Sequence, residues 1–186
     1  MNDFIGTIPE KRLHIGSGRA YLPGWTNVDL FSSTKADLYC DAMRLPFEKE
    51  TFDEIYCCHC LEHFHRHAIV AVLHHWRELL KKGGILKLSV PDFGKIVEWY
   101  NRTGDLGSLI GLLYGGQNHP LNVHTIAFDG RTLTGALLMA GFTKTEHWDW
   151  RKTNHSLFDD YASARLPHMS DGPETLWMSL NLQAIK

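Results

Sequence analysis

Five short apolar runs, each leading into a polar or glycine-containing loop, frame the first half of this chain. They are residues 11–15, Trp25-Thr26-Asn27-Val28-Asp29-Leu30, Ala36-Asp37-Leu38-Tyr39-Cys40-Asp41, Glu54-Ile55-Tyr56-Cys57-Cys58-His59 and Ile85-Leu86-Lys87-Leu88-Ser89-Val90. Each reads as a strand, and the fourth is apolar enough to be central. Between the fourth and fifth, Ile69, Val70, Leu73, Trp76, Leu79 and Leu80 recur at helical spacing within 66–81. Lys81-Lys82-Gly83-Gly84 then predicts a helix end with basic residues and a glycine stop. Further helices are predicted over 93–102, 106–114 and 133–140, and 142–150 is β-like. A final strand is predicted over 176–185, where Leu176, Met178, Leu180, Leu182 and Ala184 alternate with Trp177, Ser179, Asn181 and Gln183. Strands alternating with helices imply a parallel α/β sheet. The last two strands lack a helix between them and form an antiparallel pair across a long connection, 151–174. The chain reads as a single domain, with its core in 11–150 and 175–186.

One spacing is unusual. Gly18 and Asp29 are too close for a full crossover helix plus a strand, since parallel strands are normally joined by a dozen or more residues. The first helix is therefore shortened or absent. Composition narrows the function classes. With 186 residues and 44% hydrophobic content the chain can build a substantial core, and a net charge of -2 argues against a nucleic-acid surface. No apolar run is long enough to span a bilayer, and Met1 to Glu10 lacks a signal pattern, so a cytoplasmic setting is expected. Cys57, Cys58 and Cys60 lie near His59 and His63, but adjacent strand residues point to opposite faces and the spacing matches no common zinc pattern. No metal site is expected, and the cysteines read as small core residues.

The candidate chemistry begins at Leu13-His14-Ile15-Gly16-Ser17-Gly18, an apolar strand entering a loop with two glycines, followed by a carboxylate at Asp29. Such a loop is either a nucleotide cradle or an ordinary tight turn. Several further phrases occur in order: Val28-Asp29-Leu30; Cys40-Asp41-Ala42, then Leu45-Pro46-Phe47 and Thr51-Phe52-Asp53; Cys60-Leu61-Glu62-His63; Leu79-Leu80-Lys81-Lys82-Gly83-Gly84; Ala140-Gly141-Phe142. Together with Ile15-Gly16-Ser17-Gly18 they resemble the class I S-adenosylmethionine-dependent methyltransferases over roughly 11–145 and the last strand. Pro23-Gly24-Trp25-Thr26-Asn27-Val28-Asp29 and Ser179-Leu180-Asn181-Leu182 are similar to a small subgroup with a shortened first crossover, associated with cell-surface sugars.

The resemblance implies a Rossmann-like methyltransferase fold. Its seven-stranded, mostly parallel sheet has the order 3-2-1-4-5-7-6, with the last strand antiparallel and helices on both faces. It implies S-adenosylmethionine as cofactor. Gly16, Ser17 and Gly18 would pass the methionine part, Asp29 with Leu30 the ribose, and Asp41 with the Ala42 or Met43 amide the adenine. The His59 carbonyl would take the ammonium. The missing first helix is tolerable because this cofactor has no pyrophosphate to seat on a helix N-terminus.

For a hydroxyl acceptor the protein supplies alignment and a proton acceptor, and histidine suits the latter. Of twelve histidines, His63 and His124 hold the favourable positions, with Asp92 beside them at the end of the fifth strand; His14 reads as packed within its strand. Cys58-His59-Cys60-Leu61 replaces the Asn/Asp-Pro-Pro-aromatic run of many amino-group methyltransferases, which favours O-methylation of a small molecule or sugar. Tyr100, Tyr114, His119 and Trp148 are expected to wall the acceptor pocket. The cofactor site is open, covered by 101–128, or closed by a second subunit in a homodimer. The competing function is a non-catalytic S-adenosylmethionine-binding partner. A nicotinamide-dependent oxidoreductase expects a third glycine opening a helix, and Gly24 comes too late for that.

Overall fold

A computed structural model describes residues 10–153, 160–164 and 176–186. The N-terminal segment and most of the 151–174 connection lie outside the described residues. The strands are β1 (Arg12–Ile15), β2 (Thr26–Asp29), β3 (Leu38–Tyr39), β4 (Phe52–Cys58), β5 (Leu80–Pro91), β6 (Lys144–His147) and β7 (Ser179–Ile185). They form one seven-stranded sheet in the order β3-β2-β1-β4-β5-β7-β6. Pairs among β1 to β5 are parallel, and β7 runs antiparallel to both β5 and β6. This is the expected topology.

The helices are α1 (Ile69–Leu79), α2 (Phe93–Thr103), α3 (Ile110–Tyr114) and α4 (Gly130–Met139). Helix α1 buries Ile69, Val72, Leu73, Trp76 and Leu79, the stripe that helical spacing places on one side. With Leu133 and Leu137 of α4 these residues cover one sheet face, against Ile55, Cys57, Leu86, Leu88, Val90, Leu180 and Leu182. The opposite face holds Leu22, Tyr56, Cys58, Trp148 and Ala162, with Trp25 and Trp150 against them. Among the described residues it is covered there by coil and the short 3-10 turn at Trp150 rather than by an α-helix. Helices α2 and α3 belong to a separate cluster with Ala164, Leu176 and Met178.

Residues 16–25 contain no helix, as the short spacing predicts. Asn27 holds this connection in place. Its amide nitrogen donates to the carbonyls of Leu22 (2.9 Å) and Trp25 (3.1 Å). Its Oδ1 accepts from the Leu22 amide at 2.9 Å and faces His14 Nδ1 at 3.0 Å. The two donations fix the orientation of the Asn27 amide, so His14 Nδ1 carries the proton. Leu22 plugs into the second face beside Tyr56, the burial a crossover helix would otherwise supply.

Three boundaries differ from the pattern reading. Helix α1 stops at Leu79, and Leu80 is already paired with Phe52 as the first residue of β5. The next pair is Glu54 with Ile85, so Lys81-Lys82-Gly83-Gly84 forms an irregularity inside the strand rather than a helix cap. Burial of Leu80 draws the chain into the sheet early, Gly83 takes φ +77°, and Lys81 Nζ binds both oxygens of Asp53 at 2.8 Å. Helix α4 starts three residues before the expected 133, because Asp129 and Thr132 make a reciprocal capping box. Strand β7 begins at Ser179, leaving Leu176 and Met178 to pack under α2 and α3.

Candidate functional site

Parallel order places the C-terminal ends of β1, β2, β3, β4 and β5 along one edge, where open α/β sheets hold ligands. Following β1, Gly16 and Gly18 adopt φ +68° and +52°. The amides of Gly16 and Ser17 donate to Val28 O at 2.9 and 3.1 Å, and the Gly18 amide donates to Asp29 Oδ2 at 2.7 Å. The loop is thus tied across β2. A Cβ on Gly16 would sit 2.8 Å from Cys60 Sγ, so this glycine is required by the segment after β4 as much as by any ligand; a Cβ on Gly18 would meet nothing nearer than 4.0 Å. Ser17 is 2% exposed, and among the described residues its hydroxyl has no hydrogen-bond partner.

Asp29 is 7% exposed at the tip of β2. Its Oδ1 accepts from the Phe31 amide at 2.9 Å, so each oxygen takes one backbone donor and keeps further lone-pair capacity. Leu30 beside it is 49% exposed. Beyond β3, Asp41 accepts from the Met43 amide at 2.8 Å and caps a short turn, Ala42–Arg44. The Met43 amide is therefore engaged, and of the two amides expected for adenine Ala42's is the better suited. Trp76 Nε1 donates to Ala42 O at 2.8 Å, anchoring this turn to α1. The Met43 side chain is 42% exposed.

At the end of β4, His59 adopts φ +47°, rare for a residue with a side chain. Its ring lies between Ser179 and Glu62: Nε2 is 2.7 Å from Ser179 Oγ, and Nδ1 is 3.3 Å from Glu62 Oε1. Ser179 Oγ donates to Tyr161 O at 2.7 Å, so it accepts from His59 Nε2–H. Glu62 is 1% exposed, and neither carboxylate oxygen makes a hydrogen bond of good geometry. Burial pushes its pKa up, but the His59 imidazole, with His63 behind it, outweighs burial and holds the carboxyl below its ordinary value.

His63 and His124, separate candidates in the sequence, meet here. Their rings are 4.8 Å apart in an edge arrangement. His63 Nδ1 lies 3.1 Å from Val123 O and His124 Nδ1 lies 2.8 Å from Leu112 O. A carbonyl only accepts, so both Nδ1 atoms carry protons and the neutral rings keep their lone pairs on Nε2. His124 Nε2 lies 3.9 Å from Glu62 Oε1. Burial lowers the His124 pKa, opposed by the Glu62 charge. Asp92 is placed differently: its Oδ1 accepts from the Gly94 and Lys95 amides and caps α2.

The segment after α3 reaches across this edge. Thr125 N donates to Glu62 O at 2.9 Å, and His119 meets Phe31, just past β2, at 4.7 Å between rings. Tyr100 and Tyr114 are exposed, but Trp148 does not wall a pocket. It is buried against Tyr56 with its indole N–H on Leu88 O at 3.0 Å, because it lies at the end of β6 over the opposite sheet face. Cys57 and Cys58 divide between the two faces, as alternation requires. Sequence reasoning missed Glu62 as a functional residue and Asn27 as a hub; a glutamate between Leu61 and His63 in an otherwise buried turn was the available signal.

The sequence pattern of the family described as "Methyltransferase domain" matches residues 33–84. A search of curated proteins by sequence gives no significant match. Solved structures share the fold at low identity. An S-adenosylmethionine-dependent methyltransferase from Mesorhizobium loti is 17% identical, with a TM-score of 0.59 over 95% of this chain and 91% of that one. The Burkholderia thailandensis 1,6-didemethyltoxoflavin-N1-methyltransferase, with bound 1,6-didemethyltoxoflavin and S-adenosylhomocysteine, is 19% identical, with a TM-score of 0.58 over 96% of this chain and 71% of that one. An Archaeoglobus fulgidus SAM-dependent methyltransferase is 16% identical, with a TM-score of 0.54 over 95% and 86%.

Proposed function

We propose, from its class I methyltransferase fold and its match to the methyltransferase-domain pattern, that this protein is an S-adenosylmethionine-dependent methyltransferase acting on a hydroxyl of a small-molecule or sugar acceptor. On this reading the chain is one domain, and its four free thiols suit a cytoplasmic setting. Among the described residues no helix is long and apolar enough to cross a membrane.

The residues present fit the cofactor. Ser17 offers a buried hydroxyl lacking a partner, Asp29 a fixed carboxylate with spare acceptor capacity, and Leu30 and Met43 exposed apolar flanks beside two strand-end carboxylates. Asp29 would hold the ribose hydroxyls, Asp41 and the Ala42 amide the adenine edge, Gly16 to Gly18 the methionine part, and the His59 carbonyl the ammonium. When bound, the cofactor supplies a methyl group already activated by its sulfonium charge.

The single observation that carries the acceptor assignment is the convergence of Glu62, His63 and His124 beside the glycine loop. Two imidazoles whose Nδ1 protons are fixed by backbone carbonyls keep Nε2 free to take a proton at neutral pH. His59 positions Glu62. Alignment of the acceptor falls to the 115–128 segment, which Thr125 and His119 hold over the edge. General-base assistance of this kind is worth roughly a hundredfold to ten-thousandfold.

A methyl-transfer screen over sugars, nucleotide sugars and phenols tests this reading, with His63→Ala and His124→Ala alongside. A turned-over hydroxyl acceptor and a kcat loss of about a hundredfold in at least one variant are expected. Full turnover in both variants would remove the histidines from catalysis. Cofactor binding without transfer to any acceptor would favour the binding-partner alternative.

A further inference from the structure

We infer that Glu62, His63 and His124 form a binding site for a divalent transition-metal ion of the zinc class, open on one side to receive the acceptor's hydroxyl. The inference deepens the proposed function, since it rests on this edge being the acceptor end.

Three observations converge. One ligand atom from each of the three residues lies within 4.8 Å of the others. A tetrahedral ion with bonds of about 2.1 Å needs ligand atoms about 3.4 Å apart. The 3.9 Å between His124 Nε2 and Glu62 Oε1 therefore closes with a small side-chain adjustment. Second, Glu62 is a fully buried carboxylate whose two oxygens lack hydrogen-bond donors of good geometry. With the His59 ring beside it at 3.3 Å, this carboxylate keeps lone-pair capacity that a cation would take up. Third, both histidines already donate Nδ1–H to backbone carbonyls, at Val123 and Leu112. That is the outer-shell arrangement that fixes the tautomer of a ligating imidazole and leaves its Nε2 lone pair for a metal. His59 adds a further outer contact, with Nδ1 3.3 Å from Glu62 Oε1.

Two imidazoles and one carboxylate suit zinc, cobalt, iron(II) or manganese rather than magnesium or calcium, which prefer all-oxygen shells. Three protein ligands leave a coordination position open, the mark of a catalytic rather than a structural site. A hydroxyl bound there would ionise nearer neutrality and release its proton to water, while in the metal-free protein the same two Nε2 atoms stay available as the base.

The test is a titration of the full chain, without a polyhistidine tag and stripped by chelator, with Co2+ and then competing Zn2+, in the absence of methyl donor and acceptor. One equivalent of Co2+ with visible d–d bands and no thiolate charge-transfer band is expected. His63→Gln and His124→Ala should each weaken binding at least a hundredfold, with unchanged circular dichroism. No stoichiometric binding, binding that survives in both variants, or thiolate bands would overturn the site. Methyl transfer that persists without metal leaves the proposed function standing, whereas metal binding without any transfer separates the two claims in the other direction.

Discussion

Asp29→Ala is the most informative single substitution, because one carboxylate is asked both to close the glycine loop and to hold the ribose. In the free protein its oxygens accept from Gly18 N at 2.7 Å and Phe31 N at 2.9 Å. Hydrogen bonds to a charged group contribute about 1.5–3 kcal/mol each. Removing both should cost about 3 kcal/mol or more, a substantial share of a domain's total stability. Asp29→Asn keeps one acceptor oxygen and turns an NH2 toward the other amide, so its loss should be about half as large. Urea denaturation followed by tryptophan fluorescence reads these differences. Affinity for S-adenosylhomocysteine should fall at least tenfold in Asp29→Asn, about 1.4 kcal/mol. A ribose contact further predicts that wild type discriminates against the 2′-deoxy form of methylthioadenosine and that Asp29→Asn does so much less, a coupling that loop damage alone does not produce. Unchanged urea midpoints in Asp29→Ala together with unchanged cofactor affinity would refute both roles.

Other substitutions probe the supports of the site. Gly16→Ala places a Cβ 2.8 Å from Cys60 Sγ at φ +68°, so a stability loss of roughly 1–3 kcal/mol and weakened cofactor binding are expected by denaturation and calorimetry, while Gly18→Ala should lose only the conformational part, about 1 kcal/mol. Trp76→Phe orphans Ala42 O, now bonded at 2.8 Å, and should cost about 1–3 kcal/mol with a local effect on adenine binding. His14 gives a pH signature: burial lowers its pKa from 6.5 to about 4, only partly offset by Asn27 and Asp29. The unfolded chain therefore binds the extra proton between those values. Stability from this residue is complete above pH 6.5 and falls by up to roughly 3 kcal/mol as the pH drops toward 4. His14→Phe should flatten that limb of the stability–pH curve, and an unaltered limb would show the acid sensitivity to arise elsewhere.

Much of the architecture could be read from the chain because it rests on local periodicity. Apolar runs of strand length, one clear helical stripe and the tight interval between Gly18 and Asp29 suffice for the main elements, the parallel α/β class and the absent first helix, whereas the strand order follows only from the family resemblance. What escaped depended on tertiary partners. Lys81-Lys82-Gly83-Gly84 has the chemistry of a helix end and of a strand irregularity alike, and only the pairing of Leu80 with Phe52 separates them. Asn27 looks like any strand polar residue until Leu22, Trp25 and His14 gather on it. His63 and His124 stood out singly, but their meeting around Glu62 depends on the path of the segment after α3, which no local pattern encodes. Trp148 is placed by burial on the far face instead of at the site, while Asp92 lies at the end of β5, bridged to Phe128 and capping α2.

Calorimetric titration of the full chain with S-adenosylmethionine, S-adenosylhomocysteine and NAD bears most directly on the proposed activity. Saturable one-to-one binding of the first two, weakened at least tenfold in Asp29→Asn, with no response to NAD, is the predicted result. Tight NAD binding with no response to either sulfur compound would contradict it.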